Sequence, residues 1–263
     1  MTGRSFAELI AEAAEVPVAG WDFSWLDGRA TEERPPWGYQ RLMAARMARA
    51  SAALDIDTGG GEVLAGVAGI LPGPGTFPPL TLATESWPPN IAAATRRLHP
   101  LGAGVVVTAA GQPLPFGDAA FDLVVSRHPV AACWPEIARV LQPGGTYLSQ
   151  EVGPSSGREL AEWFTGPQPP EVWDRRSPER AAAAARAAGL TVTGLRPATL
   201  RMEFRDVGAV VYFLRKVIWM VPDFTVARYQ ARLADLHERI ADTGAFVAHS
   251  TRFLIEARRP VGG

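Results

Sequence analysis

The sequence predicts an α/β chain built on a doubly wound, mainly parallel sheet, and three observations carry that prediction. Residues 54–64, LDIDTGGGEVL, run from a short apolar alternation through three consecutive glycines into a helix-compatible stretch. Apolar runs and helical segments then alternate as far as residue 150, the pattern of right-handed βαβ crossovers. At 263 residues, 47% of them hydrophobic and 20% charged, the chain is long enough to bury a sizeable core.

Taken in order, residues 5–15 and 40–51 have helical patterning, separated by the aromatic and proline-rich linker WDFSWLDGRATEERPPWGY. The first sheet strand ends at residue 56. The second, 80–84, follows the loop LPGPGTFPP, whose prolines and glycines continue neither helix nor strand. A third apolar run covers 105–108, a fourth strand lies within QPLPFGDAAFDLVVS (112–126), and RVLQPGG (139–145) leads into a fifth at 146–150. Residues 153–178 loosen into Pro and Gly. Beyond them, 181–188 favours helix, 190–195 alternates like a strand, and 206–219 and 225–242 read as helices.

The glycine stretch carries the chemistry. Gly59, Gly60 and Gly61 remove side chains where the backbone turns and a ligand would approach, and the free N–H groups of the following helix face the same place. Glu85 ends the second strand, 24 residues after Gly61. A carboxylate there accepts both hydrogen bonds of a ribose diol, at an offset stretched beyond the usual ~20 residues by the Pro/Gly loop.

With these motifs in place, LDIDTGGGE, ATES, LPFGDAAFDLVVS and RVLQPGG make the chain resemble the class I S-adenosylmethionine-dependent methyltransferases (type 11-like) over residues 52–151, and RFLIEARRP (252–260) resembles that family's last strand. ATESWPPN, SRHP and SQEVG are similar to a bacterial branch of mostly unassigned substrate. The resemblance implies a Rossmann-like, seven-stranded sheet with an N-terminal helical cap and a C-terminal helical insertion. It also implies one domain over 1–263: a helical and aromatic segment (1–51), a cofactor-binding core (52–151), and substrate-side elements with the last strands (152–263). S-adenosyl-L-methionine is the implied cofactor and a small or medium organic molecule the acceptor. Asp55 would hold the methionine amino group, Thr58 to Gly61 would meet the cofactor through their backbone, Glu85 would take the ribose hydroxyls and Trp87 would lie beside the adenine. Ser86, Ser126 and Arg127 complete the expected cofactor set.

Two positions depart from the family pattern. Asp57 stands where many relatives have glycine; aspartate tolerates a left-handed backbone, but its charge opposes the cofactor's carboxylate. Ala110 aligns with an aspartate that commonly accepts the adenine amino hydrogen, and Gln112 offers an amide oxygen instead. If neither is compensated, the chain would be a methyltransferase fold without efficient cofactor use.

His128, just after the fourth strand, is the leading general-base candidate on its intrinsic pKa, against a capping role in the loop SRHP. Arg127 either orients an anionic acceptor or stabilises the same loop, and Glu151 is a second base candidate. The aromatic residues Trp21, Phe23, Trp25, Trp37 and Tyr39, with Tyr212, Phe213, Trp219 and Phe224, are either core or a lid over an apolar acceptor. Two other classes of function stand beside the methyltransferase. Tyr212 and Lys216 have the YxxxK spacing of short-chain NAD(P)-dependent dehydrogenases, although DTGGGE is no GxGxxG; and the same fold can serve as a non-enzymatic binding protein.

A net charge of −1 provides no basic field for nucleic acid or anionic membrane, and arginine pairs such as Arg96–Arg97 read as solvated faces. The single cysteine, Cys133, forms no internal disulfide, and SRHP has no carboxylate pair for magnesium, so a reducing, cytoplasmic setting and no metal are expected. Glu8, Glu12 and Glu15 interrupt the N-terminal pattern, and Arg215 with Lys216 interrupts the most apolar later run, so neither a signal peptide nor a membrane span is expected.

Overall fold

The computed structural model describes residues 4–18, 20, 22–71, 77–109 and 112–262. Trp21, Ala110 and most of the Pro/Gly loop therefore lie outside the described residues. In chain order the helices are α1 (Phe6–Glu15), α2 (Tyr39–Met47), α3 (Glu62–Ala68), α4 (Pro88–Leu98), α5 (Trp134–Val140), α6 (Arg158–Thr165), α7 (Pro170–Trp173), α8 (Pro178–Ala187), α9 (Val207–Lys216) and α10 (Gln230–Thr243). The strands are β1 (Ala30–Glu32), β2 (Ala52–Ile56), β3 (Leu80–Glu85), β4 (Gly104–Val107), β5 (Phe121–Arg127), β6 (Leu141–Val152), β7 (Thr191–Phe204) and β8 (Phe246–Arg258).

These strands form one eight-stranded sheet in the order β1-β7-β8-β6-β5-β2-β3-β4. β2 runs parallel to both β3 and β5, β3 to β4, and β5 to β6, while β8 is antiparallel to β6. The chain steps outward from β2 first to one side and then to the other. That reversal opens a crevice at the carboxyl ends of β2 and β5, where ligands of such sheets bind.

By contacts, the described residues divide into two compact units: one comprises the chain up to Arg34, Pro154–Arg175 and Thr199–Thr251, the other Pro35–Gly153, Arg176–Ala198 and the chain from Arg252. The second unit is doubly wound. On one face of its strands, Met43, Met47, Leu64, Val67 and Leu98 from α2, α3 and α4 pack on Ala53, Ala83, Leu123 and Leu148. On the other, Trp134, Ile137, Ala182 and Ala185 from α5 and α8 pack on Leu54, Val124, Tyr147 and Ile255. Strands covered on both sides read as continuous apolar runs, which is why β2 and β5 are conspicuous in sequence.

The first unit has its own core, in which Leu9 and Ala13 of α1 meet Val210, Val211 and Leu214 of α9. A Ser5–Glu8 capping box starts α1. Asp206 caps α9 through the Ala209 N–H (2.8 Å) and holds Arg29 with two hydrogen bonds, at 2.7 and 2.9 Å.

Three expectations require correction. The sheet has eight strands, not seven: Ala30 to Glu32 pair with Phe204 to Met202, inside what reads as a linker. This short, largely exposed edge strand is held by backbone pairing, so it carries no apolar alternation to detect. The loose stretch 153–178 contains α6, which buries Leu160, Ala161 and Phe164 between flanking Gly and Pro. β7 continues to Phe204, well past residue 195, despite Gly194 and Pro197.

Gly61 is the glycine on which the helical layer depends. It sits at φ +79°, and a Cβ there would lie 2.9 Å from Leu98 Cγ and 3.3 Å from Ala94 Cα, so its bareness lets α3 close on α4. Gly59 has φ +63° but open space where a Cβ would go. Gly61→Ala should therefore cost about 2–4 kcal/mol and Gly59→Ala only about 1–2 kcal/mol, measured by chemical denaturation. Equal losses would show that backbone strain alone, without helix packing, sets the requirement.

Candidate active site at the carboxyl ends of the strands

At the end of β2 the chain must leave the sheet and begin α3 within a few residues. Asp57 adopts φ +55° and Gly59 and Gly61 follow in the left-handed region. The turn is tied to the next strand by Asp57 N–H to Thr84 Oγ1 (3.2 Å) and Thr58 N–H to the Thr84 carbonyl (2.9 Å). Asp55 is buried beneath it and accepts a hydrogen bond from Thr58 Oγ1 at 2.7 Å. Burial, with smaller contributions from Asp57 and Glu85, pushes the Asp55 pKa up to about 7. Asp57 has its pKa raised by burial and by Glu85, opposed by a hydrogen bond from the Val130 backbone.

Glu85 at the end of β3 is buried and faces its own loop. One carboxylate oxygen accepts from the Ser86 and Trp87 N–H groups (2.7 and 2.9 Å), the other from Asn90 Nδ2 at 3.2 Å. This carboxylate is thereby aimed before any ligand arrives, with lone pairs left for further donors. Ser86 is exposed, and Trp87 leaves 49% of its surface open beside it. Arg97 donates to the Gly60 carbonyl and pairs with Glu62 at 2.8 Å, bracing the glycine turn from α4.

The third part of the site lies where β5 and β6 end. Tyr39 donates its hydroxyl to the Ser126 carbonyl (2.7 Å), and Ser126 Oγ donates to the Ile56 carbonyl (2.8 Å), locking β5 against β2. His128 follows at φ +57° with its N–H on the Gln150 carbonyl (2.7 Å). Trp37 Nε1, which can only donate, reaches Gln150 Oε1 at 2.7 Å; the Gln150 amide nitrogen therefore donates to His128 Nε2, 3.0 Å away. The neutral ring then keeps its proton on Nδ1. Burial, then the positive charges of Arg127, Arg252 and Arg176, push the His128 pKa down to about 2. With a depressed pKa and its Nε2 lone pair engaged, this imidazole is suited to donating a hydrogen bond from Nδ1 and poorly suited to accepting a proton. Glu151 is the converse case: burial pushes its pKa up to about 7, opposed by the Ser149 hydroxyl and the charge of Arg176, and its Oε1 is buried with no hydrogen-bond partner among the described residues.

The structure thus brings Asp55, Asp57, Thr58, Gly59 to Gly61, Glu85, Ser86, Trp87, Ser126, Arg127 and His128 to the carboxyl ends of adjoining strands. Gln112 is exposed in the segment after β4, and Ala110 lies outside the described residues. Tyr212 and Lys216 belong to the other unit. There the Tyr212 hydroxyl donates to the Asp22 carbonyl (3.0 Å), and Lys216 Nζ sits over the Phe23 and Tyr212 rings. Trp37 and Tyr39 are buried strand-end braces. Sequence reasoning missed Thr84, Asn90 and Gln150 as site residues and read Trp37 only as core or lid; a threonine, an amide or an indole hydrogen bond has no period or spacing that marks it. Among the described residues no group of three His, Cys, Asp or Glu is arranged to hold a metal ion, and no helix is long and apolar enough to cross a membrane.

A parallel sheet with its strand order reversed at a glycine turn, an acidic residue ending each of two adjacent strands, and an antiparallel last strand define the class I methyltransferase fold. Residues 54–149 match the family model described as a methyltransferase domain. Among solved structures, the YcgJ protein of Bacillus subtilis is similar with TM-score 0.58 and 16% identity, covering 85% of this chain and 99% of that one. A Bacillus halodurans C-125 protein described provisionally as a methyltransferase gives TM-score 0.53 and 17% identity over 83% and 98% of the two chains. The [4+2]-cyclase SpnF shares the fold at TM-score 0.53 and 20% identity, covering 97% and 93%. No curated protein matches the chain in sequence.

The raised pKa of Asp55 fixes the sign of a stability effect. Its folded pKa, about 7, exceeds the ordinary aspartate value of 3.8, so between those values the native state binds more protons than the unfolded one, and stability falls as pH rises through that window. Asp55→Asn, which keeps an acceptor for Thr58, should remove this slope. Relative to wild type, the ligand-free variant should gain on the order of 4 kcal/mol between pH 4 and pH 8, read from urea midpoints. A gap independent of pH would show that Asp55 titrates normally.

Proposed function

We propose that the protein is an S-adenosyl-L-methionine-dependent methyltransferase acting on a small or medium organic acceptor. The observation that carries this reading is the trio Asp55, Asp57 and Glu85 around the glycine turn: carboxylates of which two are raised in pKa by burial and by their neighbours, a setting that a bound cation relieves. The residues present fit the cofactor. Open space over Gly59 admits a close approach to the backbone, Glu85 is pre-aimed with acceptor capacity to spare, and the exposed indole of Trp87 stands two residues further on.

S-adenosyl-L-methionine, when bound, supplies an electrophilic methyl group on a cationic sulfonium. In this reading Asp55 holds the ammonium, Thr58 to Gly61 line the methionine portion, Glu85 takes the ribose diol, and Trp87 flanks the base with Ser86 and Gln112. Ser126 keeps the β5 end in place against β2. The protein's remaining contributions are alignment of the acceptor's nucleophile and exclusion of water, and neither needs a covalent residue. His128 serves as a fixed neutral donor on the acceptor side. The name of the cyclase neighbour shows why turnover has to be measured: one fold hosts more than one chemistry.

Calorimetric titration of cofactor-stripped protein with S-adenosylmethionine and S-adenosylhomocysteine should give micromolar binding, with NADH and NADPH silent. Glu85→Ala should weaken both by about 10- to 100-fold, the loss of charge-assisted hydrogen bonds. Silence toward the first pair rejects the reading. Binding without methyl transfer to any acceptor in a broad screen would favour a binding protein on the same fold.

A further inference from the structure

The carboxylates on the cofactor side sit at β2 and β3, whereas β5 ends in Arg127 and β8 places Arg252 beside the end of β6. Arg127 is the last residue of β5 and pairs in register with Gln150; on the other side of β6, Arg252 pairs with Val152, two residues beyond Gln150. Side chains alternate along a strand, so Arg127, Gln150 and Arg252 share one face of the sheet, with the two guanidinium-bearing residues flanking the glutamine. The Gln150 side chain holds His128, whose remaining N–H is a further donor. Arg176, exposed ahead of α8, is the third basic residue near this imidazole, and all three arginines depress its basicity. Arg176 also acts on Glu151, on the opposite face of β6 from Gln150, whose pKa burial pushes up to about 7.

We propose that the acceptor carries an oxyanion, a carboxylate or a phosphate ester, recognised by Arg127, Arg176 and Arg252 around the His128 Nδ1–H. This rests on the methyltransferase reading, because it assigns the β2–β3 side of the crevice to the cofactor. Guanidinium groups present paired N–H donors that match a planar carboxylate or a phosphate, and basic residues on one face of adjoining strands set a preference for a charged acceptor over its neutral isostere. The charges are also complementary in sequence of use: carboxylates for a cationic methyl donor, guanidiniums for an anionic acceptor, meeting where β2 adjoins β5.

The test uses the full chain saturated with S-adenosylhomocysteine at low ionic strength, titrated with benzoate, phenyl phosphate and the uncharged isostere benzamide. At least one anion should bind saturably and at least about tenfold more tightly than benzamide. The double variant Arg176→Gln/Arg252→Gln should lose about tenfold or more of that anion affinity while its affinity for S-adenosylhomocysteine is unchanged, which also reports that it is folded; Arg176→Gln alone, at an exposed position, should show part of the same loss. The preferred anion identifies the group as carboxylate or phosphate. Equal binding of anions and benzamide, no anion binding, or an undiminished affinity in the double variant overturns the proposal. So does a parallel loss of S-adenosylhomocysteine in the folded variant, since the arginines would then serve the cofactor's own carboxylate. Failure of wild type to bind S-adenosylhomocysteine at all is a separate result, removing the methyltransferase reading and this one with it.

Discussion

The rest of the cofactor side depends on the turn between β2 and α3. A parallel strand that must pass directly into a covering helix has few residues in which to reverse, and here Asp57, Gly59 and Gly61 all take left-handed backbone to do it. The two hydrogen bonds to Thr84 fasten this strained segment to β3, so the turn and the start of the next loop move as one piece. Two consequences follow from that compression. Asp55 is carried under the turn and loses its water, and α3 is brought so close to α4 that Gly61 has no room for a side chain.

A buried carboxylate beside two more is an unfavourable arrangement in a folded protein unless something compensates it. Protonation is the compensation available to the protein alone, and the raised pKa of Asp55 expresses it. A cationic ligand is the other. At the β5 and β6 ends the imidazole of His128 is kept neutral by burial, reinforced by the positive charges of Arg127, Arg252 and Arg176. The reversal of strand order at β2 sets these two regions beside each other, so the crevice is polarised along the sheet by topology as well as by composition.

The braces behind the crevice show how a site is kept in shape by residues that meet no ligand. Trp37 sets the orientation of the Gln150 amide, and that amide selects the His128 tautomer. Tyr39 and Ser126 hold β5 to its neighbours through main-chain carbonyls. These aromatic residues precede β2 by many positions and look in sequence like material for a lid. Burial and a satisfied polar tip make them structural instead.

The sequence by itself determined the sheet class, the glycine turn and the position of Glu85, because each rests on short-range signals: apolar runs buried on both faces, bare residues where the backbone turns, and a carboxylate at a fixed distance along one βαβ unit. It determined helices α1, α8, α9 and α10 for the same reason, through local periodicity. What only the tertiary structure decided are features that arise when distant segments meet. The edge pairing of β1 with β7 depends on backbone hydrogen bonds that any residues can make, and α6 hides between glycines and prolines that mark its ends without marking its middle. The character of His128 was beyond the sequence altogether, since an isolated histidine has a pKa near neutrality; its environment is assembled from Gln150, Arg176 and Arg252, residues far along the chain whose charge and hydrogen bonds act only once the strands are in register.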